Sequence, residues 1–175
     1  MTPRRARRLL WWLLLPTVAG CTQADGWNPG APSESPPRAP PEEVIRVACA
    51  YHQVPWLSFG GDPNPGGLKF NLFLVSKKTN KGVLADGLLQ VRMHTKEPAP
   101  DGTLHRKEVC AWTQDLNDVP HTTREFAVGW GYQPQLCWGD ADVAGREVEI
   151  VIWYEDRTGR RVYAQTKSLK APHRK

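Results

Sequence analysis

From Val44 onward, the chain is dominated by short runs in which apolar residues recur at every second position. This spacing places apolar side chains on one face of a β-strand, whereas an amphipathic helix needs them three and four residues apart. The clearest runs are residues 44–51, 68–75, 89–94 and 147–154. The pattern predicts β-strands that each bury one face, with room for a single helical turn at residues 114–119.

The segments between these runs are rich in residues that interrupt strands. Residues 60–67 form a glycine- and proline-rich loop, 86–87 and 158–159 are typical of tight turns, and 98–102 form a polar loop. We expect an all-β domain over residues 44–175, an antiparallel β-sandwich of roughly seven or eight strands with an Ig-like or C2-like topology. Weaker alternation predicts the remaining strands at residues 108–113, 123–128, 131–138 and 160–168. The side chains expected to face the core are Ile45, Val47, Cys49, Tyr51, Leu68, Phe70, Leu72, Leu74, Leu89, Val91, Met93, Val148, Ile150, Ile152 and Tyr154.

Residues 1–20 have the layout of an export signal. Four arginines precede an apolar run at residues 9–15, and small residues lead up to Cys21. The 12 residues between Arg8 and Cys21 are too few to span the ~30 Å hydrocarbon core of a bilayer, which needs roughly 20. The leader is therefore predicted to be removed as a signal peptide and not to remain as a membrane span.

The end of the leader, Val18-Ala19-Gly20-Cys21, resembles the lipobox of bacterial lipoproteins. The resemblance implies cleavage after Gly20, a diacylglyceryl thioether on Cys21 and acylation of the new amino terminus. Two or more acyl chains anchor a protein stably, because each buried methylene contributes ~0.8 kcal/mol. Thr22, and not an aspartate, follows the cysteine, so the sequence favours the outer over the inner membrane of a bacterial cell envelope.

Residues 21–43 form the expected tether between the lipidated Cys21 and the sandwich. They contain six prolines and only one large apolar residue, Trp27. Such a composition cannot bury enough surface to offset its chain entropy, and proline keeps the chain extended. We therefore expect a disordered, proline-rich stalk.

The basic character of the chain belongs largely to its leader. The whole chain has 23 basic and 18 acidic residues and a formal net charge of +5, but four of the basic residues and none of the acidic ones lie in residues 1–20. The mature chain thus keeps 19 basic residues against 18 acidic ones. A nucleic-acid-binding domain carries a concentrated basic face, so we expect no nucleic-acid partner.

The region from Leu68 to the end carries several short motifs in a fixed order. They are the strand at residues 85–93, the segment 129–132 with Leu136 and Trp138 behind it, and a final Arg-Val-Tyr-Ala hairpin. This order resembles a group of uncharacterised secreted or lipid-anchored β-sandwich proteins of planctomycete bacteria, which implies the fold but supplies no catalytic or binding residues. The loop at 60–67, often acidic in that group, keeps only Asp62 here, which argues against a cation-binding loop.

Three cysteines remain once Cys21 is lipidated. In an oxidising compartment one intramolecular disulfide leaves one thiol over, and all three pairings are open. Cys49 shares the apolar face of its strand, whereas Cys137 alternates with polar residues. We favour a Cys110–Cys137 disulfide with Cys49 packed as a small apolar side chain; three reduced, packed thiols are the alternative.

The sequence predicts no metal site, no cofactor and no catalytic centre. Cys49-x-x-His52 has a suggestive spacing, but an extended strand does not direct residues three apart at one point. Asp140 and Asp142 lie in a polar loop without the glycine-spaced acidic pattern of a calcium site. The nucleophile-elbow, zinc-protease and phosphate-loop motifs are absent. We therefore expect a protein that is not an enzyme.

Tryptophan is the residue class most suggestive of binding. Trp112 and Trp138 occupy predicted strands and are expected in the core, whereas Trp56, Trp130 and Trp153 lie where a large ring can be exposed. Exposed tryptophans stack on sugars or anchor protein contacts. The sequence thus predicts a lipid-anchored structural or interaction module of the envelope whose partner is an envelope protein, with a carbohydrate- or polymer-binding module as the alternative.

Overall fold

The period-two runs form β-strands in the structure, which is a computed structural model that describes residues 36, 38–58, 66–122, 126–138, 141 and 143–173. Within this part of the chain the elements are a 3₁₀ helix at Pro41–Glu43 and nine strands, β1 Val44–Leu57, β2 Gly67–Ser76, β3 Gly82–Val83, β4 Leu88–Pro98, β5 Leu104–Asp115, β6 Gln135–Cys137, β7 Glu147–Glu155, β8 Arg161–Tyr163 and β9 Lys167–Lys170. The predicted signal peptide, Cys21 and most of the tether lie outside the described residues. Of the described segments, none is a helix long and apolar enough to cross a membrane.

The strands form two antiparallel sheets. In the four-stranded sheet the order is β1-β2-β3, with β6 also pairing with β2, and in the five-stranded sheet the order is β5-β4-β7-β8, with β9 also pairing with β7. The inward side chains of both sheets form one apolar core. The predicted all-β sandwich is confirmed, with nine strands in the described residues where roughly seven or eight were expected.

The alternation on β4 and β7 is confirmed residue by residue. These strands pair with each other at the centre of the five-stranded sheet, and every second side chain is buried. The buried residues are Leu89, Val91, Met93, Val148, Ile150, Ile152 and Tyr154. The opposite residues of β7, which include Trp153, face away from the core.

Two irregularities on β1 shift its faces. Val44 pairs with Ser76 but Arg46 pairs with Val75, so the strand bulges by one residue and both Val44 and Val47 are buried. Ile45, which we expected in the core, is therefore 55% exposed. A second bulge leaves residues 52–55 opposite a single residue of β2.

Strand β2 departs from the expectation of a single buried face. Leu68, Phe70, Leu72 and Leu74 face the core as predicted, but Phe73 and Val75 on the opposite face are also buried. The neighbours of Phe73 explain this burial, because they are small: it pairs with Ala48 on β1, and its ring lies close to the backbones of Gly82 and Gly131. The Phe126 ring packs edge-on against the Phe73 ring, with centroids 6.4 Å apart.

The weaker strand predictions are borne out in part. Strand β5 contains the predicted run 108–113, and the run 160–168 is divided between β8 and β9. Only β6 forms in the run 131–138; in the run 123–128, residues 123–125 lie outside the described part and Phe126 makes an isolated bridge to Gly129. Residues 114–119 end β5 and then turn without forming a helix.

The folded part of the chain begins before Val44, where we placed its boundary. Arg38 forms a parallel bridge with Leu84, and its guanidinium donates to the carboxylate of Asp86 at 2.7 Å and to the side-chain oxygen of Asn117 at 2.8 Å. Arg160 donates to the backbone carbonyls of Pro41 and Val44. The last residues of the predicted tether are thus docked on the sandwich.

Candidate functional site

Trp153 lies on the outer face of the five-stranded sheet, the face turned away from the core. Its cross-strand neighbours are Gln90 on β4 and Tyr163 on β8. The Trp153 and Tyr163 rings pack with centroids 5.6 Å apart and planes tilted by 32°, and Tyr163 is 55% exposed. Tyr163 therefore presents an accessible aromatic ring beside the partly exposed ring of Trp153.

Two arginines flank the Trp153 ring. The guanidinium carbons of Arg92 and Arg161 lie 5.2 and 5.8 Å from its centroid, within cation–π range. The indole N–H donates to Glu155 at 3.2 Å, and the Arg161 side chain donates to the same carboxylate oxygen at 2.8 Å. We call Trp153, Tyr163, Arg92, Arg161 and Glu155 the aromatic face.

The charges around the aromatic face are balanced. Arg92 lies 3.5 Å from the carboxylate of Glu108, and Arg106 pairs with Glu149 further along the sheet. The hydrogen bond that Arg161 donates to the Glu155 carboxylate, followed by its hydrogen bond with the Tyr163 side chain, raises the pKa of Arg161. Planar cations, carboxylates and rings thus alternate on the surface, an arrangement suited to hydrogen bonding and stacking with a polar partner.

A groove of about 550 Å³ adjoins this face through Tyr163. It lies between the edge of β1 in one sheet and the break between β8 and β9 in the other. We call it the edge groove; its lining residues are Arg46, Val47, Ala48, Cys49, Tyr51, Tyr163, Gln165, Thr166 and Lys167.

The inner wall of the edge groove is apolar and chemically quiet. Tyr51 packs on Phe70 with ring centroids 5.4 Å apart. Burial raises the pKa of the Cys49 thiol to about 12, and burial followed by the neighbouring Cys49 raises the pKa of Tyr51. The thiolate is the nucleophilic form of cysteine, so the raised pKa disfavours reactivity at Cys49, which packs against the core as its alternation predicted.

The other two tryptophans considered for binding, Trp56 and Trp130, are packed elsewhere. Trp56 meets Trp138 edge-on with centroids 5.9 Å apart, and both Trp56 and Trp130 pack against the core while remaining partly accessible. Of the two tryptophans expected in the core, Trp138 is buried and Trp112 is half-buried, with its indole N–H donating to the Cys137 carbonyl at 2.7 Å. The structure does not gather Trp56, Trp130 and Trp153 into one strip.

The three described cysteines are free thiols, so the predicted Cys110–Cys137 disulfide is not formed in the structure. Cys137 follows the buried Leu136 on β6, so its side chain points to the other face of the strand and is exposed on the outer side of the sheet. Cys110 points inward, and its thiol lies 3.9 Å from the carbonyl of Trp138. The two side chains thus face different sides of the sandwich edge.

No group of three or more histidine, cysteine or carboxylate side chains that could hold a metal ion occurs in the described segments. Asp140 and Asp142 lie outside those segments, as do most residues of the loop 60–67. His52, in the second bulge of β1, is exposed.

Tyr163 is the residue that sequence reasoning missed. Only the pairing register of β7 with β8 places it beside Trp153, and the short alternation in 161–163 gives no sign of that register. Comparison with protein families, curated proteins and solved structures found no significant match to this chain. The assignment of the surface therefore rests on its geometry.

Proposed function

We propose that this protein is a lipid-anchored, non-enzymatic interaction module of a bacterial cell envelope, which binds its partner through the aromatic face. The lipobox ending at Cys21, with Thr22 after it, supports anchoring at the outer membrane. The proline-rich residues that follow support a stalk, which at ~3.1 Å per residue reaches some tens of ångströms. The sandwich is then the part that meets the partner.

One observation carries the interaction role. Trp153 and Tyr163 form a ring pair on the outer face of the five-stranded sheet, with two arginines within cation–π range of the Trp153 ring. Tryptophan, tyrosine and arginine dominate the binding energy of protein interfaces, because they bury a large area at low entropic cost and still form hydrogen bonds. Ring packing and the shared hydrogen bonds to Glu155 hold these side chains in place, which lowers the ordering needed on binding.

Envelope binding by the full-length protein in detergent tests this role. We expect the protein to co-sediment with isolated envelopes of its source bacterium, and Tyr163→Ala to lower the bound fraction at least fivefold. Val128→Ala is the matched control, because Val128 is 57% exposed but lies beside β3 of the four-stranded sheet, where its carbonyl accepts from the Gly82 amide. Equal binding of both variants would exclude the aromatic face as the binding surface.

The anchor is tested by metabolic labelling with a fatty-acid analogue. Wild-type protein and Cys137→Ser are expected to incorporate the label, since Cys137 is an exposed cysteine in the folded domain. Cys21→Ser is expected to incorporate none, because it lacks the thiol that the lipobox presents. Label on Cys21→Ser equal to that on wild type contradicts lipidation at this residue.

A carbohydrate- or polymer-binding role is the second candidate. The exposed ring of Tyr163 favours it, since sugars stack on accessible aromatic rings beside planar hydrogen-bonding groups. Sedimentation with purified peptidoglycan and a panel of insoluble polysaccharides separates the two candidates. A sugar-binding module loses binding in Tyr163→Ala and keeps it in Trp56→Phe, whose ring packs against Trp138. Absence of binding to every polymer leaves a protein partner.

A further inference from the structure

The edge groove is bounded on one side by an unpaired strand edge. Strand β1 pairs with β2 along one edge, and on its other edge Val47 forms a parallel bridge with Ala164. From Ala48 to Tyr51, β1 has no other strand partner among the described residues. Its outward N–H and C=O groups are therefore a template onto which another extended chain can add.

The opposite wall of the groove is a break in the edge of the five-stranded sheet. Strand β8 ends at Tyr163 and β9 begins at Lys167, while the Ala164 amide still bonds to the Ile152 carbonyl at 2.9 Å. Gln165 and Thr166 lie between the two strands and are exposed. The groove thus has a strand edge on one side and polar side chains on the other.

The charge of the groove is of one sign. Its lining includes Arg46 and Lys167 and no aspartate or glutamate, and neither cation lies within 4.0 Å of a carboxylate in the described part of the chain. The cations of β5, the edge strand of the five-stranded sheet, are in contrast neutralised, because Arg106 and Lys107 both pair with glutamates. The two groove cations are therefore available to a ligand.

We propose that the edge groove binds an extended acidic peptide segment of a partner protein. The segment adds as a strand to β1 at residues 48–51 and places carboxylates beside Arg46 and Lys167. Backbone pairing favours a peptide over a polysaccharide, because a strand edge presents donors and acceptors at the repeat of another strand. This inference deepens the proposed interaction role and rests on it, since the groove shares Tyr163 with the aromatic face.

The test uses full-length protein in detergent and three fluorescein-labelled, terminally blocked octapeptides. One alternates threonine with glutamate, the second replaces glutamate with lysine, and the third is the acidic peptide with N-methylated backbone amides. We expect fluorescence anisotropy to show binding of the acidic peptide, no binding of the basic one, and at least tenfold weaker binding of the methylated one. Binding should weaken as salt is added, because the groove charges are exposed to solvent.

Charge variants locate the binding. Arg46→Gln and Lys167→Gln should each weaken binding of the acidic peptide about threefold, in the range of solvent-accessible ion pairs. Lys170→Gln is the matched control, since Lys170 lies on β9 outside the groove lining, and it should leave binding unchanged. Hydrogen exchange at the amides of residues 48–51 should slow when the acidic peptide is bound.

Several results would overturn the inference. They are no binding of the acidic peptide at millimolar concentration, equally tight binding of its methylated form, and wild-type affinity for the acidic peptide in both the Arg46→Gln and the Lys167→Gln variant. A concentration-dependent dimer that the peptide disrupts would assign the groove to a second copy of this chain. If the peptide fails while Tyr163→Ala still lowers envelope binding, only the groove proposal is lost; if Tyr163→Ala has no effect on envelope binding, the proposed function fails as well.

Discussion

A large aromatic ring on the outer face of the four-stranded sheet is buried, whereas one on the outer face of the five-stranded sheet is partly exposed. On the four-stranded sheet, Phe73 lies among Ala48, Gly82 and Gly131 and is only 7% exposed. On the five-stranded sheet, Trp153 stands between the large side chains of Gln90 and Tyr163. The ring with small neighbours is buried and structural, whereas beside the larger side chains Trp153 stays partly exposed and Tyr163 is 55% exposed.

The largest effect should come from removing the buried ring. Phe73→Ala is expected to lower the free energy of unfolding by about 3 kcal/mol, because it deletes a buried ring and leaves a cavity. Urea denaturation of the full-length protein measures this change. A loss below about 1 kcal/mol would show that Phe73 is not packed as described.

The small neighbours of Phe73 provide the second test. A β-carbon at Gly131 would lie 2.7 Å from the Phe73 ring and 2.8 Å from the Leu72 carbonyl, so Gly131→Ala should cost about 2 kcal/mol through overpacking. The control is Ala111→Val at an exposed position of β5 in the five-stranded sheet. This substitution should change the free energy of unfolding by less than about 0.5 kcal/mol. Equal costs in the two urea titrations would remove the contrast between the faces.

The turn at Asp156, where Arg160 links the two sheets, should make the stability of the fold depend on pH. Burial alone raises the pKa of Asp156, but hydrogen bonds from Thr158 and Arg160 outweigh it and hold the pKa at about 2. The folded-state pKa is below the unfolded one, so this stabilisation is present above pH ~4 and is lost as the pH falls towards 2.

Because Arg160 also holds the carbonyl of Val44, the Asp156 turn ties β7 and β8 to β1. Asp156→Asn should cost about 2 kcal/mol at pH 7 and converge with wild type near pH 2. Thermal unfolding at a series of pH values measures the difference. A constant difference between pH 7 and pH 2 would contradict the assignment of the depressed pKa to Asp156.

The smallest effect on stability should come from a substitution on the aromatic face. Tyr163→Ala is expected to lower the free energy of unfolding by at most about 1 kcal/mol, because it loses the packing on Trp153 but its ring is 55% exposed, while it lowers envelope binding. Circular dichroism melts and the sedimentation assay together check this separation. A large loss of stability would make Tyr163 a structural residue like Phe73.

Sequence alone predicts the fold best where each strand obeys its own alternation. The faces of β4 and β7 follow from the spacing of Val91 or Ile150, because regular central strands bury one side. Ile45 and Phe73 could not be placed in this way. The first depends on a bulge that shifts the register, and the second on the size of residues in neighbouring strands.

The candidate site is less predictable for the same reason. Trp153 could be selected from its position on β7, but its partner Tyr163 is brought to it by a hairpin register that local sequence does not encode. The tether residues docked by Arg38 and Arg160 were missed because proline-rich composition hides their long-range hydrogen bonds. The aromatic face is positioned by pairing between strands that are distant in sequence, and period-two patterns carry no information about that pairing.

The central claim, that the open aromatic face meets a partner in the envelope, is tested most directly by photo-crosslinking in living cells. A photo-crosslinking phenylalanine analogue is placed at Tyr163 in one strain and at Val128 in another, with Cys21 intact in both. We expect a discrete crosslinked product from position 163 and none from position 128. The same products from both positions, or none from position 163 at equal protein levels, would contradict it.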